Sequence, residues 1–103
     1  MSSQILRMQA VNLLQRARNL GIEPNTIMYN TAISALGKAS QWEAAEKVFK
    51  DMANPDTISF ETMIAAYGLA GQTSRAEAFF QAMLKAGHRP RDYAFCGLIA
   101  AYR

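Results

Sequence analysis

Few side chains in this sequence are capable of bond-making chemistry. Cys96 is its one cysteine and His88 its one histidine, so no internal disulfide can close and no ligand cluster can hold a metal. The acids are spread along the chain rather than gathered round a nucleophile or a histidine. Glu43 precedes Lys47, and Glu46 precedes Lys50, by four residues, the spacing of ion pairs on a solvated helix face. Cys96 reads as a small helix residue, and His88, between Gly87 and Pro90, as an exposed loop residue. Arg7, Arg16 and Arg18 read as a solvated face. Neither catalysis nor a cofactor is expected, which leaves recognition.

Half of the 103 residues are hydrophobic, enough for one small folded domain. The net charge of +3 divides as +2 over residues 1–25, −1 over 26–56, +2 over 57–91 and zero over 92–103. Such a mildly basic chain is compatible with a polyanionic partner. No apolar run approaches the roughly 18 residues of a membrane helix, and no signal-peptide core is visible.

Whatever recognition occurs must be positioned by a repeated element. Thr26, Ile27, Thr31, Ile33, Gly37, Ala45, Glu46, Phe49 and Met52 recur without a gap as Thr57, Ile58, Thr62, Ile64, Gly68, Ala76, Glu77, Phe80 and Met83. The plan begins again at Asp92, with Phe95, Ile99 and Tyr102 in the places of Phe60, Ile64 and Tyr67. Periods of 31 and 35 residues signal a solenoid. The chain therefore divides into a partial unit 1–25, full units 26–56 and 57–91, and a partial unit 92–103.

Each full unit reads as two helices. Tyr29, Ile33 and Leu36 share one helical face, as do Ala45, Val48, Phe49 and Met52. Ser40 and Glu43 stand at capping-box spacing, Asn25 or Thr26 can cap the first helix of the unit, and Gly21 with Pro24 ends the helix before it. Gly37 and Gly68, with Ala39, Ala45, Ala70 and Ala76, are small enough to let helices approach closely. In the opening segment Leu6, Ala10, Leu13, Leu14, Ala17 and Leu20 fall on one face. Helices are predicted over 5–20, 26–38, 41–53, 57–70, 73–86 and 92–102, with no strand. The first unit lacks its first helix and the last lacks its second, so both ends should expose apolar surface. That predicts a fragment of a longer solenoid, or end-to-end association.

The stretches TIMYNTAISALGKASQWEAAEKVFKDM, followed by Pro55 and Asp56, and TISFETMIAAYGLAGQTSRAEAFFQAMLKAGHRP resemble the pentatricopeptide repeat (PPR) family. The resemblance implies an all-α, right-handed superhelical solenoid of antiparallel helix-turn-helix repeats, related to the tetratricopeptide type. It also implies a groove, lined by the first helices, that takes single-stranded RNA at one nucleotide per repeat.

By the same resemblance, the fifth and last residues of a unit select the base. These are Asn30 with Asp56, Glu61 with Arg91, the lone last residue Asn25 and the lone fifth residue Cys96. The second residues, Ile27, Ile58 and Tyr93, would pack on bases, and Lys38 would meet phosphate. Asn with Asp is the combination that implies uracil: an ionised Asp only accepts, and uracil offers a ring N3 donor. Glu61 and Arg91, with Leu69 in the place of Lys38, depart from the pattern; they suggest an ion pair, and Glu61 would repel phosphate. The plain reading of Asn30 is a polar residue on a solvated face, and of Asp56 an N-cap. Two functions follow. One is sequence-selective RNA binding in chloroplast or mitochondrial transcript stabilisation, processing or translation; the other is a helical scaffold within an organellar ribosome or expression complex.

Overall fold

The computed structural model describes residues 3–102, with side chains from residue 9 onward; Leu6 and Arg7 thus fall outside the described side chains. Among these residues six α-helices follow one another, α1 Ser3–Asn19, α2 Thr26–Lys38, α3 Trp42–Asp51, α4 Thr57–Leu69, α5 Thr73–Lys85 and α6 Asp92–Ala101. No strand occurs among the described residues. α2 with α3, and α4 with α5, are the two complete hairpins, and each first helix also packs on the first helix of its neighbour.

α4 is the hub. It touches α2, α3, α5 and α6, and nine of its residues are buried. A helix enclosed on all sides must be apolar all round, which the run from Phe60 to Gly68 largely satisfies. Ile33, Met63, Ile64, Tyr67 and Met83 are wholly buried, each contributing roughly 1.5–3 kcal/mol by burial. Phe49 meets Phe60 and Phe79 edge-on, with ring centres 5.1 and 5.0 Å apart.

First helices approach so closely because glycines stand at their contacts. A Cβ on Gly68 would lie 2.4 Å from the Gly97 carbonyl oxygen, and one on Gly37 would lie 2.8 Å from the Ala66 Cβ. One side-chain bond ties α3 to α4, and another ties α5 to the end of α6. The Tyr67 hydroxyl donates to Glu46, and its repeat counterpart Tyr102 donates to Glu77 at 2.5 Å.

The boundaries agree with the periodicity to within one or two residues, and the differences have local causes. α3 stops at Asp51 rather than 53, because Met52 is already extended. Ser40 is not a cap. It sits at φ +61°, where its repeat counterpart is Gly71 at φ +69°, and it turns the chain out of α2 while Gln41 donates its N–H to the Leu36 carbonyl. That is the glycine-type helix stop, here made with a serine.

His88 is not simply exposed either. It is half-buried, with its ring centre 5.3 Å from that of Phe60 and Nδ1 3.0 Å from the Thr57 hydroxyl. Among the described side chains of α1, Leu14 and Ala17 are buried on the side that faces α2, while Leu13, and Leu20 just beyond the helix, stand exposed. Phe95, the repeat counterpart of the buried Phe60, is half-exposed, with its ring centre 5.4 Å from that of Phe80.

Candidate nucleic-acid interface

The first residues of α2, α4 and α6 set the site. Asn25, Asp56 and Arg91 are the N-caps of these helices, and two residues beyond each stand Ile27, Ile58 and Tyr93. All three of these apolar side chains are exposed. They line one open groove of about 540 Å³, together with Asn30, Thr31, Ser34, Lys38 and Thr62. Exposed apolar residues spaced along a groove, with polar groups between them, suit flat ligands with polar edges.

Between Ile27 and Ile58 lies a closed polar network. Asn30 Nδ2 donates to Asp56 Oδ1 at 3.1 Å, and the Ser59 hydroxyl donates to Asn30 Oδ1 at 2.6 Å. Because a carboxylate only accepts, the Asn30 amide must present its nitrogen to Asp56. Asp56 caps α4 reciprocally, taking the Ser59 N–H at 2.9 Å and giving its own N–H to the Ser59 hydroxyl at 3.0 Å. Burial would raise the Asp56 carboxyl, but the bonds from Ser59 and Asn30 outweigh it and hold it below the usual carboxylate value. The Asn30 amide N–H and the Ser59 backbone N–H both donate to Oδ1.

The third unit is built differently. Arg91 forms an ion pair of 2.6 Å with the wholly buried Glu61, so the Glu61 charge is compensated inside the fold rather than turned on a ligand. Asn25 spends its side chain on its own helix, accepting the Met28 N–H at 2.9 Å. Cys96 is exposed on α6. Lys38 projects at the end of the groove, and its counterpart Leu69 is exposed as well.

A family model described as PPR repeat matches residues 20–53, and a second, also described as PPR repeat, matches residues 58–88. The chain belongs to the pentatricopeptide repeat family. The two matches cover the α2–α3 and α4–α5 hairpins, so the PPR chain is a helical-hairpin solenoid over its centre. No curated protein matches it. PPR proteins typically bind RNA, and among the described residues no helix is long and apolar enough to cross a membrane.

Sequence reasoning brought forward Asn30 and Asp56 but passed over Ser59, which joins them. A serine three residues after an N-cap Asp is a reciprocal-cap signal in principle, yet its bond to Asn30, 29 residues earlier, shows only in three dimensions. Gly97 was passed over too; its Cβ would stand 2.9 Å from Ile64.

Proposed function

We propose that this PPR chain binds single-stranded RNA along the groove of Ile27, Ile58 and Tyr93, and that Asn30 with Asp56 favours uracil. What supports this is the Asn30–Asp56 hydrogen bond next to the groove that the exposed Ile27 and Ile58 line with Asn30. An obligate acceptor suits the uracil N3–H and opposes cytosine, whose N3 also accepts. Lys38 would bind a phosphate along the groove. We infer from the PPR family a role in chloroplast or mitochondrial transcript stabilisation, processing or translation, and a right-handed superhelical path for the repeats. Titration of the chain with short homopolymer RNAs tests the reading: oligouridine should bind more tightly than oligocytidine, and equal binding would overturn it.

A second reading, a helical scaffold in an organellar expression complex, is favoured by the exposed Leu13, Leu20, Ile99 and Tyr102 at the two ends. A protein partner there would shield these side chains and leave the groove without base preference.

A further inference from the structure

Six residues separate Met83 from Pro90, but only two, Ala53 and Asn54, separate their counterparts Met52 and Pro55. The longer connection carries α5 on to Lys85, about one turn beyond the point at which α3 stops at Asp51, and then bends at Gly87. That bend lays the His88 ring on Phe60, with ring centres 5.3 Å apart, and sets its Nδ1 3.0 Å from the Thr57 hydroxyl. In the second unit Thr26 and Tyr29 are the counterparts of Thr57 and Phe60, and the shorter connection has no residue in the place of His88. A cavity of about 450 Å³ opens there, lined by Thr26, Tyr29 and Asn54 together with Arg18, Glu23 and Asp51. Arg18 Nη2 donates to the Tyr29 hydroxyl at 2.5 Å and forms no ion pair among the described residues. Glu23 and Asp51 are exposed at the rim.

We propose that this cavity docks a basic, histidine-bearing turn of a partner protein, whose imidazole takes on Tyr29 and Thr26 the place that His88 takes on Phe60 and Thr57. The chain itself supplies the template. An aromatic ring and a hydroxyl three residues apart on one helix hold an imidazole by ring contact and one hydrogen bond, and both groups recur in the second unit. The cavity has room for a turn as well as a ring. Its rim suits a base beside the histidine, as Arg89 follows His88 in the template: the Arg18 charge opposes such a residue, but the carboxylates of Glu23 and Asp51 outnumber it. Having given one N–H to Tyr29, the Arg18 guanidinium keeps others for the carbonyls of the docked turn. An anion is the weaker candidate, because the same two carboxylates repel it. The cavity shares no lining residue with the groove of Ile27 and Ile58, so the proposal stands apart from RNA binding.

The test uses the whole chain and two blocked tetrapeptides, Gly-His-Arg-Pro, which copies residues 87–90, and Gly-Ala-Arg-Pro. Binding is followed by NMR titration of backbone amides and of the Arg18 Nε–H. The histidine peptide should bind about tenfold more tightly than the alanine peptide, the scale of one hydrogen bond with an aromatic contact. It should shift Thr26, Tyr29 and Arg18 and leave Ile58 and Tyr93 unmoved. Thr26→Val removes the hydroxyl, and should weaken the histidine peptide several-fold without affecting the alanine peptide. Replacing Ala53 and Asn54 by the sequence of residues 84–89 rebuilds the longer connection, and should abolish binding of the histidine peptide and raise the thermal midpoint. Equal binding of the two peptides, or shifts outside the cavity, would overturn the proposal. So would unchanged peptide binding in the folded graft; should the graft not fold, Thr26→Val decides alone. Inorganic phosphate that shifts Arg18 where the histidine peptide does not would identify an anion site and overturn it also.

Discussion

Asn30 Nδ2 lies 3.1 Å from Asp56 Oδ1, so a residue in the second turn of one first helix is bonded to the cap of the next first helix, 26 residues later. The proposed base-selecting pair is thus also a joint between two repeats. Asp56 caps α4, and Asn30 is only 9% exposed. Neither lies on the apolar stripe, but substituting either one reaches into the fold.

Asp56→Ala should therefore lower stability by about 1 kcal/mol, the usual value of an N-cap, as well as uracil preference. Asp56→Asn separates the two effects. It retains a capping oxygen but adds a donor, so denaturant midpoints should change little while discrimination between oligouridine and oligocytidine falls. Retained discrimination in Asp56→Asn would remove Asp56 from base selection.

Lys38→Ala should act on all sequences alike. Affinity for oligouridine and for mixed RNA should fall by similar factors, and the slope of log affinity against log salt should shrink by roughly 0.7, the value for one single-strand phosphate contact. A sequence-dependent loss would assign Lys38 a different role.

Acid should weaken the α2–α4 joint. The folded Asp56 carboxyl titrates below its unfolded value of 3.8, so its contribution is fully present above that value and is lost as pH falls through the lower folded one. In an acid titration followed by circular dichroism, the stability difference between the parent chain and Asp56→Asn should be constant from pH 5 to 7 and should change below pH 4.

Gly68→Ala tests the helix seam. With the new methyl carbon 2.4 Å from a backbone oxygen, α4 and α6 must separate, and a loss of about 1–3 kcal/mol is expected. Gly71→Ala, at a position open within 4 Å but at φ +69°, should lose only the smaller conformational term of about 1 kcal/mol. Equal losses would mean that the seam tolerates a wider spacing.

Most of the fold was legible because the repeat states it twice. An apolar stripe ending at a glycine places a helix within a residue or two, and Gly37 beside its copy Gly68 points to close packing. Less legible was anything decided by what lies across the seam. Ser40 carries the side chain of a cap but the backbone of a glycine, and only its alignment with Gly71 hints at that. His88 sits in a loop-like sequence, yet Phe60 and Thr57, from the unit's first helix, close over it. In the candidate site, Asn30 and Asp56 were visible through family resemblance, whereas Ser59 was not, since a small hydroxyl at a helix start is ordinary until its partner on another helix is seen. The Glu61 and Arg91 departure was visible as a pair of opposite charges, but not the complete burial of the acid.

The bonds from Tyr67 to Glu46 and from Tyr102 to Glu77 run between neighbouring hairpins and never within one. Cohesion is thereby concentrated at the borders, and the helix with the most borders is α4. Amide hydrogen exchange should follow that gradient, slowest at buried positions such as Ile64 and Tyr67 and fastest in α1 and α6, with α2 and α5 between. In a row of units coupled only to their neighbours, loosening one end unit exposes the next border without weakening those beyond it, so the chain should open stepwise from its ends toward α4.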